Sequence, residues 1–235
     1  WGKRLMSKKN SKRYLALIKG HDKTKELALP EAIKLLKTKS NTKFPESMEA
    51  IFFLNIDKAK TDQNLRTVVD LPNGNGRKVK VAVICGNDKL SEAKSSGAEI
   101  AGSEDLINEI NLGKINFDVL ISTPDMMAKV GKLGKVLGPK GLMPNPKLGT
   151  VAKDIKSTVE AIKKGRIEIK CDKDGNLGLS FGKVKFSDKE LSENFKSVYE
   201  VVAKEKPAGI KGNFINSIYL STTMGPSVKL QLSSI

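Results

Sequence analysis

The sequence is poor in the residues that build metal centres and nucleophilic active sites. Its 235 residues include two cysteines, Cys85 and Cys171, and one histidine, His21. A structural zinc site needs four such ligands together, and a Ser-His or Cys-His nucleophile would have to use His21. Two cysteines are also too few for a secreted disulfide framework, so we expect buried free thiols in a reducing compartment. We therefore expect no catalytic residue, no metal and no cofactor.

Long apolar stretches are missing as well. Hydrophobic residues make up 39% of the chain, yet no run of eighteen apolar residues occurs and no apolar signal-peptide core follows the basic start. This predicts a soluble protein with packed cores, of one large or two smaller domains. Met6-Ser7-Lys8-Lys9 resembles a translation start, and the origin of the preceding residues 1–5 stays open.

Positive charge is what the chain has in excess. It carries 42 Lys+Arg against 26 Asp+Glu, a formal charge of +16. Self-repulsion of this size destabilises a compact state, so a polyanionic partner is expected. Nucleic acid and an anionic membrane both qualify, and a merely soluble lysine-rich protein is the plain alternative. No stretch combines a basic face with a strongly apolar face, which disfavours the membrane. The charge favours nucleic acid.

Both ends of the chain show the patterns of half-buried elements. Apolar residues from Leu29 to Leu36 share one helical face. Residues 48–56 alternate between apolar and polar, and residues 65–71 repeat the pattern, which predicts an antiparallel strand pair. Towards the C terminus, a capping box at Ser187 predicts a helix, followed by two strands.

The middle of the chain has a different pattern. Residues 81–85 are continuously apolar, as in a parallel strand that is covered on both faces. Helical and strand patterns alternate up to residue 164, which predicts a three-layer, Rossmann-like α/β unit. We therefore predict an α/β protein of two domains. Residues 1–74 and 166–235 form a two-layer α+β domain, and the α/β domain of residues 75–165 is inserted into it through a two-strand hinge.

Residues 129–153 form an unusual segment, rich in lysine, glycine and proline and free of acids. Glycines let backbone amides approach phosphates, and lysines supply charge, so the segment suits nucleic-acid backbone contact. A phosphate-cradling enzyme loop is excluded by the glycine spacing, and a surface loop without special purpose is the alternative. The basic residues expected to make secondary RNA contacts are Lys132, Lys135, Lys140, Lys147 and Arg166.

Two smaller candidates are ambiguous from the residues alone. Phe44, beside Lys43, could stack on a base, but a phenylalanine leading into a strand is more often part of the core. Residues 221–227 could bond to sugar and phosphate groups, but their composition is also that of an ordinary hairpin loop. Composition by itself favours the structural interpretation of both.

Longer motifs carry a family resemblance. The runs GKVLGPKGLMPNPKLGTV (134–151) and KGNFINSIYLSTTMGPSVKL (211–230) closely resemble large-subunit ribosomal protein one, the protein of the mobile side stalk beside the exit site. So do TDQNLRTVVDLPNGNGRKVKVAV (61–83) and NFDVLISTPDMM (116–127). The resemblance extends over nearly the whole chain, from Lys12 onward. It is greater to the bacterial or organellar branch than to the archaeal or eukaryotic cytosolic one.

The resemblance implies a non-catalytic ribosomal protein with the inserted two-domain layout. Such proteins bind the stalk of large-subunit rRNA mainly through the domain of both chain ends, as a monomer within the ribosome. They accompany deacylated tRNA out of the exit site, and many bacterial members repress translation of their own mRNA. A cytoplasmic bacterial or an organellar ribosome is implied.

The match to the family's motifs implies that Phe44 and the loop of residues 221–227 contact rRNA, in place of the structural interpretations given above. Glu46 is among the residues that the resemblance implies. A carboxylate is unexpected in a protein that binds a polyanion, but it can accept a hydrogen bond from a ribose hydroxyl or a base amine. A nucleotide-dependent enzyme built on the central unit is the alternative function, and it lacks a phosphate motif. The implied rRNA contacts are Phe44, Glu46, Ser221, Thr223, Met224 and Gly225.

Overall fold

The computed structural model describes residues 11–22, 24–56, 65–172, 174–207, 210 and 212–234. Our predictions for the basic first ten residues lie outside this part. The chain folds into two compact units. We call Trp1–Leu65 with Lys170–Ile235 the terminal unit, and Arg66–Ile169 the central unit. Both units mix helices with strands, which confirms the α/β class.

The elements follow the predicted patterns with shifted ends. The strands are β1 (Glu26–Leu27), β2 (Ser47–Leu54), β3 (Arg66–Asp70), β4 (Val81–Ile84), β5 (Ile100–Gly102), β6 (Val119–Ser122), β7 (Arg166–Lys170), β8 (Asn176–Lys183), β9 (Ile215–Thr222) and β10 (Val228–Leu230). The helices are α1 (Lys12–Ile18), α2 (Leu29–Lys39), α3 (Leu90–Ser95), α4 (Glu104–Asn111), α5 (Met127–Gly131), α6 (Gly134–Leu137), α7 (Ile155–Lys164) and α8 (Asp188–Lys204).

The terminal unit is built on a five-stranded sheet in the order β1-β10-β9-β2-β8. Strand β2 lies next to the β8 edge of the sheet and runs antiparallel to both β8 and β9. Its even-numbered apolar residues, from Met48 to Leu54, are buried, whereas Ile51 and Phe53 are exposed, as the period of two predicts. The pairing predicted for this strand is wrong, because β3 pairs with β7 instead. Alternation specifies which face is buried but does not name the partner strand.

Helices α2 and α8 pack on the buried side of this sheet. The centre of the core is aromatic: Phe195 of α8 stacks on Phe52 with ring centroids 6.0 Å apart. Phe181 of β8 meets Phe195 edge-on at 5.7 Å. The predicted capping box at Ser187 starts α8, with the Ser187 hydroxyl accepting from the Glu190 amide. The sheet and its two helices thus make a two-layer unit with its own core.

The central unit contains a parallel sheet in the order β5-β4-β6. Strand β4 is fully buried, and its side chains alternate between two hydrophobic clusters. Ala82 and Ile84 pack with α4, while Val81 and Val83 pack with α7. Helices therefore cover both faces of this sheet, as the continuous apolar run predicts.

The basic segment 129–153 is not the continuous loop that the sequence predicts. It contains the end of α5, all of α6 and a 3₁₀ turn at Pro146–Leu148. Val130, Leu133 and Leu137 are buried in the cluster around β4. They recur at i, i+3 and i+7, which is the spacing of one helical face. The glycines between them are atypical of a helix, so the sequence pattern did not predict one. The lysines thus stand on a folded surface rather than on a free loop.

Strands β3 and β7 run antiparallel, because the Leu71 amide donates to the Gly165 carbonyl and the Cys171 amide to the Leu65 carbonyl. Gly165 has φ +122°, and a Cβ there would lie 2.5 Å from the α-carbon of Gly74. This close approach requires glycine. The predicted boundaries at 74/75 and 165/166 assign both strands to the chain ends, whereas in the structure β3 and all of β7 except Lys170 fall in the central unit.

Both cysteines are buried, and burial raises the pKa of the Cys85 and Cys171 thiols. Over the ranges that the structure describes, no helix is long and apolar enough to cross a bilayer.

Candidate nucleic-acid interface

Two groups of residues that the sequence singles out separately meet at one end of β2. The Thr223 amide donates to the Ser47 carbonyl at 3.2 Å. In return, the Ser47 amide donates to the Thr223 hydroxyl at 3.0 Å, across 176 positions of sequence. The segment 40–47 and the turn 222–225 therefore form one site in the terminal unit.

Glu46 is the centre of this site. Only 1% of the residue is exposed, and its carboxylate accepts three hydrogen bonds. The donors are the Ser40 and Thr42 hydroxyls, both at 2.9 Å, and the Met224 amide at 3.1 Å. Since both carboxylate oxygens are engaged by the protein, Glu46 ties the turn to the segment that precedes β2.

The surroundings of Glu46 favour its charged form. Burial by itself raises the pKa of this carboxyl, because it disfavours the ion. The neighbouring Thr222 hydroxyl, the Met224 amide and the Ser40 and Thr42 hydroxyls outweigh burial and lower the pKa below its ordinary value of 4.5. Thr222 acts by proximity, because its hydroxyl makes no well-aligned hydrogen bond. Glu46 is therefore a buried anion stabilised by dipoles.

The turn 222–225 and Phe44 present apolar and uncharged groups at the surface of the site. Phe44 is 49% exposed and Met224 is 46% exposed, so neither belongs to the core. Thr223 is exposed too, whereas Ser221 is half-buried on β9 opposite Glu49. Gly225 cannot carry a side chain, because a Cβ there would lie 2.2 Å from the Thr222 hydroxyl oxygen. The site thus brings together all six residues that the family resemblance singles out.

Arg13 of α1 also belongs to the site, although the sequence did not predict it. Its Nη1 donates to the Asn41 side-chain oxygen at 3.0 Å, and its Nη2 donates to the Met224 carbonyl at 2.7 Å. The signals in the sequence were the basic composition of the N-terminal segment and the family resemblance, which begins at Lys12. Neither of them singles out Arg13 as a member of the site.

The predicted secondary RNA contacts all belong to the central unit. Lys132, Lys135, Lys140 and Lys147 are all exposed. Arg166 is half-buried and binds Asp70 through two hydrogen bonds, of 2.7 and 3.0 Å. These bonds raise the pKa of Arg166 and lower that of Asp70. A phosphate at Arg166 would have to compete with this carboxylate, whereas the four lysines are accessible.

Comparison with known proteins points to the ribosome. A family model described as "Ribosomal protein L1p/L10e family" matches residues 35–226. The chain is 49% identical to "Large ribosomal subunit protein uL1" of Thermosipho africanus, over 97% of this chain and 98% of that protein. The proteins of the same name from Prochlorococcus marinus (strain NATL1A) and Fervidobacterium nodosum are 50% and 48% identical, over 87% and 96% of each chain.

These matches define a structural protein of the large ribosomal subunit and not an enzyme. The chain belongs to the ribosomal protein L1p/L10e family. The resemblance drawn from the sequence motifs is thereby confirmed, and the relatives named are bacterial.

Proposed function

We propose that the terminal unit binds the mobile side stalk of large-subunit rRNA, with the segment 40–47 and the turn 222–225 as the interface. The convergence of these two segments on the buried carboxylate of Glu46 carries the proposal. The hydrogen bonds that stabilise this buried anion also hold the backbone of the exposed turn in one conformation, which suits the turn to recognition of a defined RNA shape. Family membership supplies the ribosomal context.

The parts of the interface have different tasks. The excess positive charge attracts RNA of any sequence and makes binding salt-dependent. Selection of the stalk rests on groups without charge: the Thr223 hydroxyl and the turn backbone bond to ribose and phosphate, and the exposed ring of Phe44 stacks on a base or ribose. Glu46 acts indirectly, because the residue is almost completely buried beneath the turn and its carboxylate is out of reach of a ribose hydroxyl.

The central unit has a secondary part in the proposal. It is an inserted domain whose four accessible lysines contact RNA phosphates while the terminal unit makes the specific contacts. The protein moves with the stalk and assists the release of deacylated tRNA from the exit site. A fold in the protein's own mRNA that presents the same shape would bind the same turn, so translational repression follows from the same geometry.

The test of the proposal is binding of a stalk RNA fragment by the isolated protein, measured by calorimetry across a series of salt concentrations. Several phosphates are neutralised, so the logarithm of affinity should fall steeply and linearly with the logarithm of salt concentration. An unrelated hairpin of equal length should bind much more weakly at moderate salt. Equal affinity for the two RNAs would contradict the proposal.

Phe44→Ala should weaken stalk binding without unfolding the protein. A base stacked on an aromatic ring contributes about 1–3 kcal/mol, so a loss of affinity of about fivefold to 150-fold is expected. Phe53→Ala is the matched control, because Phe53 is a 39% exposed phenylalanine of the same unit that packs against Tyr219 instead. If both variants bind equally well, Phe44 does not contact the RNA.

A further inference from the structure

We infer that Arg13 is a further RNA-binding residue of this site, which holds a phosphate of the bound RNA at the rim of the turn 222–225. The inference rests on the proposed stalk binding and adds to it a residue from a different element. Its basis is the pair of hydrogen bonds that fix the guanidinium, one to Asn41 and one to the Met224 carbonyl. Arg13 thereby places a full positive charge on a turn whose other residues carry none.

Helix α1 holds Arg13 in place although none of its residues is buried. The Lys39 ammonium donates to the Leu17 carbonyl at 3.0 Å, which joins the end of α1 to α2. Just beyond the helix, the His21 ring nitrogen Nε2 bonds to the Ser227 carbonyl at 2.8 Å. Polar contacts thus secure this short helix at its C-terminal end, and Arg13 secures it near its start. The guanidinium is ordered before RNA arrives, which lowers the entropic cost of binding.

The chemistry of the guanidinium leaves room for a phosphate. Arginine has five N–H donors in a planar fork, and the two bonds to Asn41 and Met224 use one from each terminal nitrogen. Both acceptors are neutral, so the positive charge is not cancelled. Within the described ranges, no carboxylate forms an ion pair with Arg13, in contrast to the paired Arg166. A charged fork with free donors suits phosphate recognition.

A purely structural role for Arg13 predicts a different outcome from phosphate contact. If the side chain only supports the turn, its loss weakens binding by disturbing Met224 but leaves the number of neutralised phosphates unchanged. If it contacts a phosphate, its loss also makes binding less dependent on salt. The slope of log affinity against log salt therefore separates the two roles.

The experiment compares full-length wild type with Arg13→Ala, Arg13→Gln and Lys12→Ala, each titrated with the stalk RNA fragment at several salt concentrations. Lys12→Ala is the matched control, because it removes the same charge from the neighbouring exposed position of α1. Arg13→Gln retains an amide group that can donate to the turn. It is the variant to compare with wild type if Arg13→Ala lowers the melting temperature. Both Arg13 variants should lose about tenfold in affinity, and the magnitude of the salt slope should fall by about one.

The outcomes separate this inference from the proposed function. If wild type does not prefer the stalk RNA over an unrelated hairpin, stalk binding itself is wrong. If wild type binds selectively but the Arg13 variants lose no more affinity than Lys12→Ala, Arg13 is not part of the site. If their affinity falls while the salt slope stays at the wild-type value, the phosphate contact is overturned.

Discussion

Replacing Glu46 by glutamine should destabilise the terminal unit and weaken RNA binding together. Glutamine has nearly the same shape, but only one of its two terminal atoms is an acceptor oxygen. The carboxylate of Glu46 accepts from three donors, and the NH₂ group of glutamine would face at least one of these donors without being able to accept from it. Leaving a buried donor unsatisfied costs about 1–3 kcal/mol. Urea denaturation at neutral pH measures this loss. The stalk RNA titration should show weaker binding because the turn is no longer held at Met224.

The same substitution predicts a pH dependence. The pKa of Glu46 in the folded protein lies below its ordinary value of 4.5, so its stabilising effect is fully present above that value. The effect is lost as the pH falls through the lowered folded-state pKa. Glutamine does not titrate, so the difference in unfolding free energy between wild type and Glu46→Gln should shrink in acid.

Glu49→Gln is the control for this prediction, because Glu49 is a half-buried glutamate on the same strand. It should change neither the free energy of unfolding nor the RNA affinity by a comparable amount. If Glu49→Gln lowers the free energy of unfolding and the RNA affinity as much as Glu46→Gln does, the effect reflects net charge and not the contacts of Glu46. A difference for Glu46→Gln that persists undiminished in strong acid would contradict the assigned role of the ionised carboxylate.

Phe195→Ala should have the largest effect on stability. Phe195 of α8 is fully buried against Phe52 of β2 and Phe181 of β8, so its truncation removes the ring contacts that join the helix to two strands of the sheet. Such a change costs about 3–5 kcal/mol, a large part of the roughly 5–15 kcal/mol that stabilise an ordinary domain. Urea denaturation followed by circular dichroism measures the loss.

Tyr199→Ala is the control for Phe195→Ala, since it truncates a half-buried aromatic one turn further along α8. Its effect should be clearly smaller. RNA binding by Phe195→Ala should fall only in proportion to the unfolded fraction, because the side chain is remote from solvent. A Phe195→Ala protein as stable as wild type would show that the aromatic cluster is not the centre of this core.

Local patterns were sufficient to predict much of the fold. The period of two in β2, the continuous apolar run of β4 and the capping box at Ser187 each report a neighbourhood of a few residues. These features reflect which face of an element is buried and how a helix begins. Residues close together in the sequence determine both properties. Their existence was predicted well, and their ends were shifted by one or a few residues.

Features that depend on distant partners were predicted less well. The partner of β2 was wrong because the alternating pattern of residues 65–71 suits any half-buried strand. The helices within residues 129–153 were missed because glycines obscured the apolar spacing of Val130, Leu133 and Leu137. In each case the decisive information lies in packing against another part of the fold.

In the candidate site, too, the sequence indicated individual residues but not the contacts between distant ones. Composition indicated RNA in general, and family motifs pointed to Phe44, Glu46 and the last loop. Neither could show that Glu46 is buried beneath the turn, or that Arg13 reaches the Met224 carbonyl. These facts depend on hydrogen bonds between residues far apart in sequence.

The long sequence separation within the site has a consequence for biosynthesis. The Ser47–Thr223 pair spans 176 positions, so the site cannot form until the turn has emerged from the ribosome. Until then Glu46 lacks its Met224 donor, and β2 lacks its neighbour β9. A nascent chain can attract RNA through its lysines from an early stage, whereas the proposed selectivity requires the turn as well. General attraction to RNA thus precedes the proposed selective binding during synthesis.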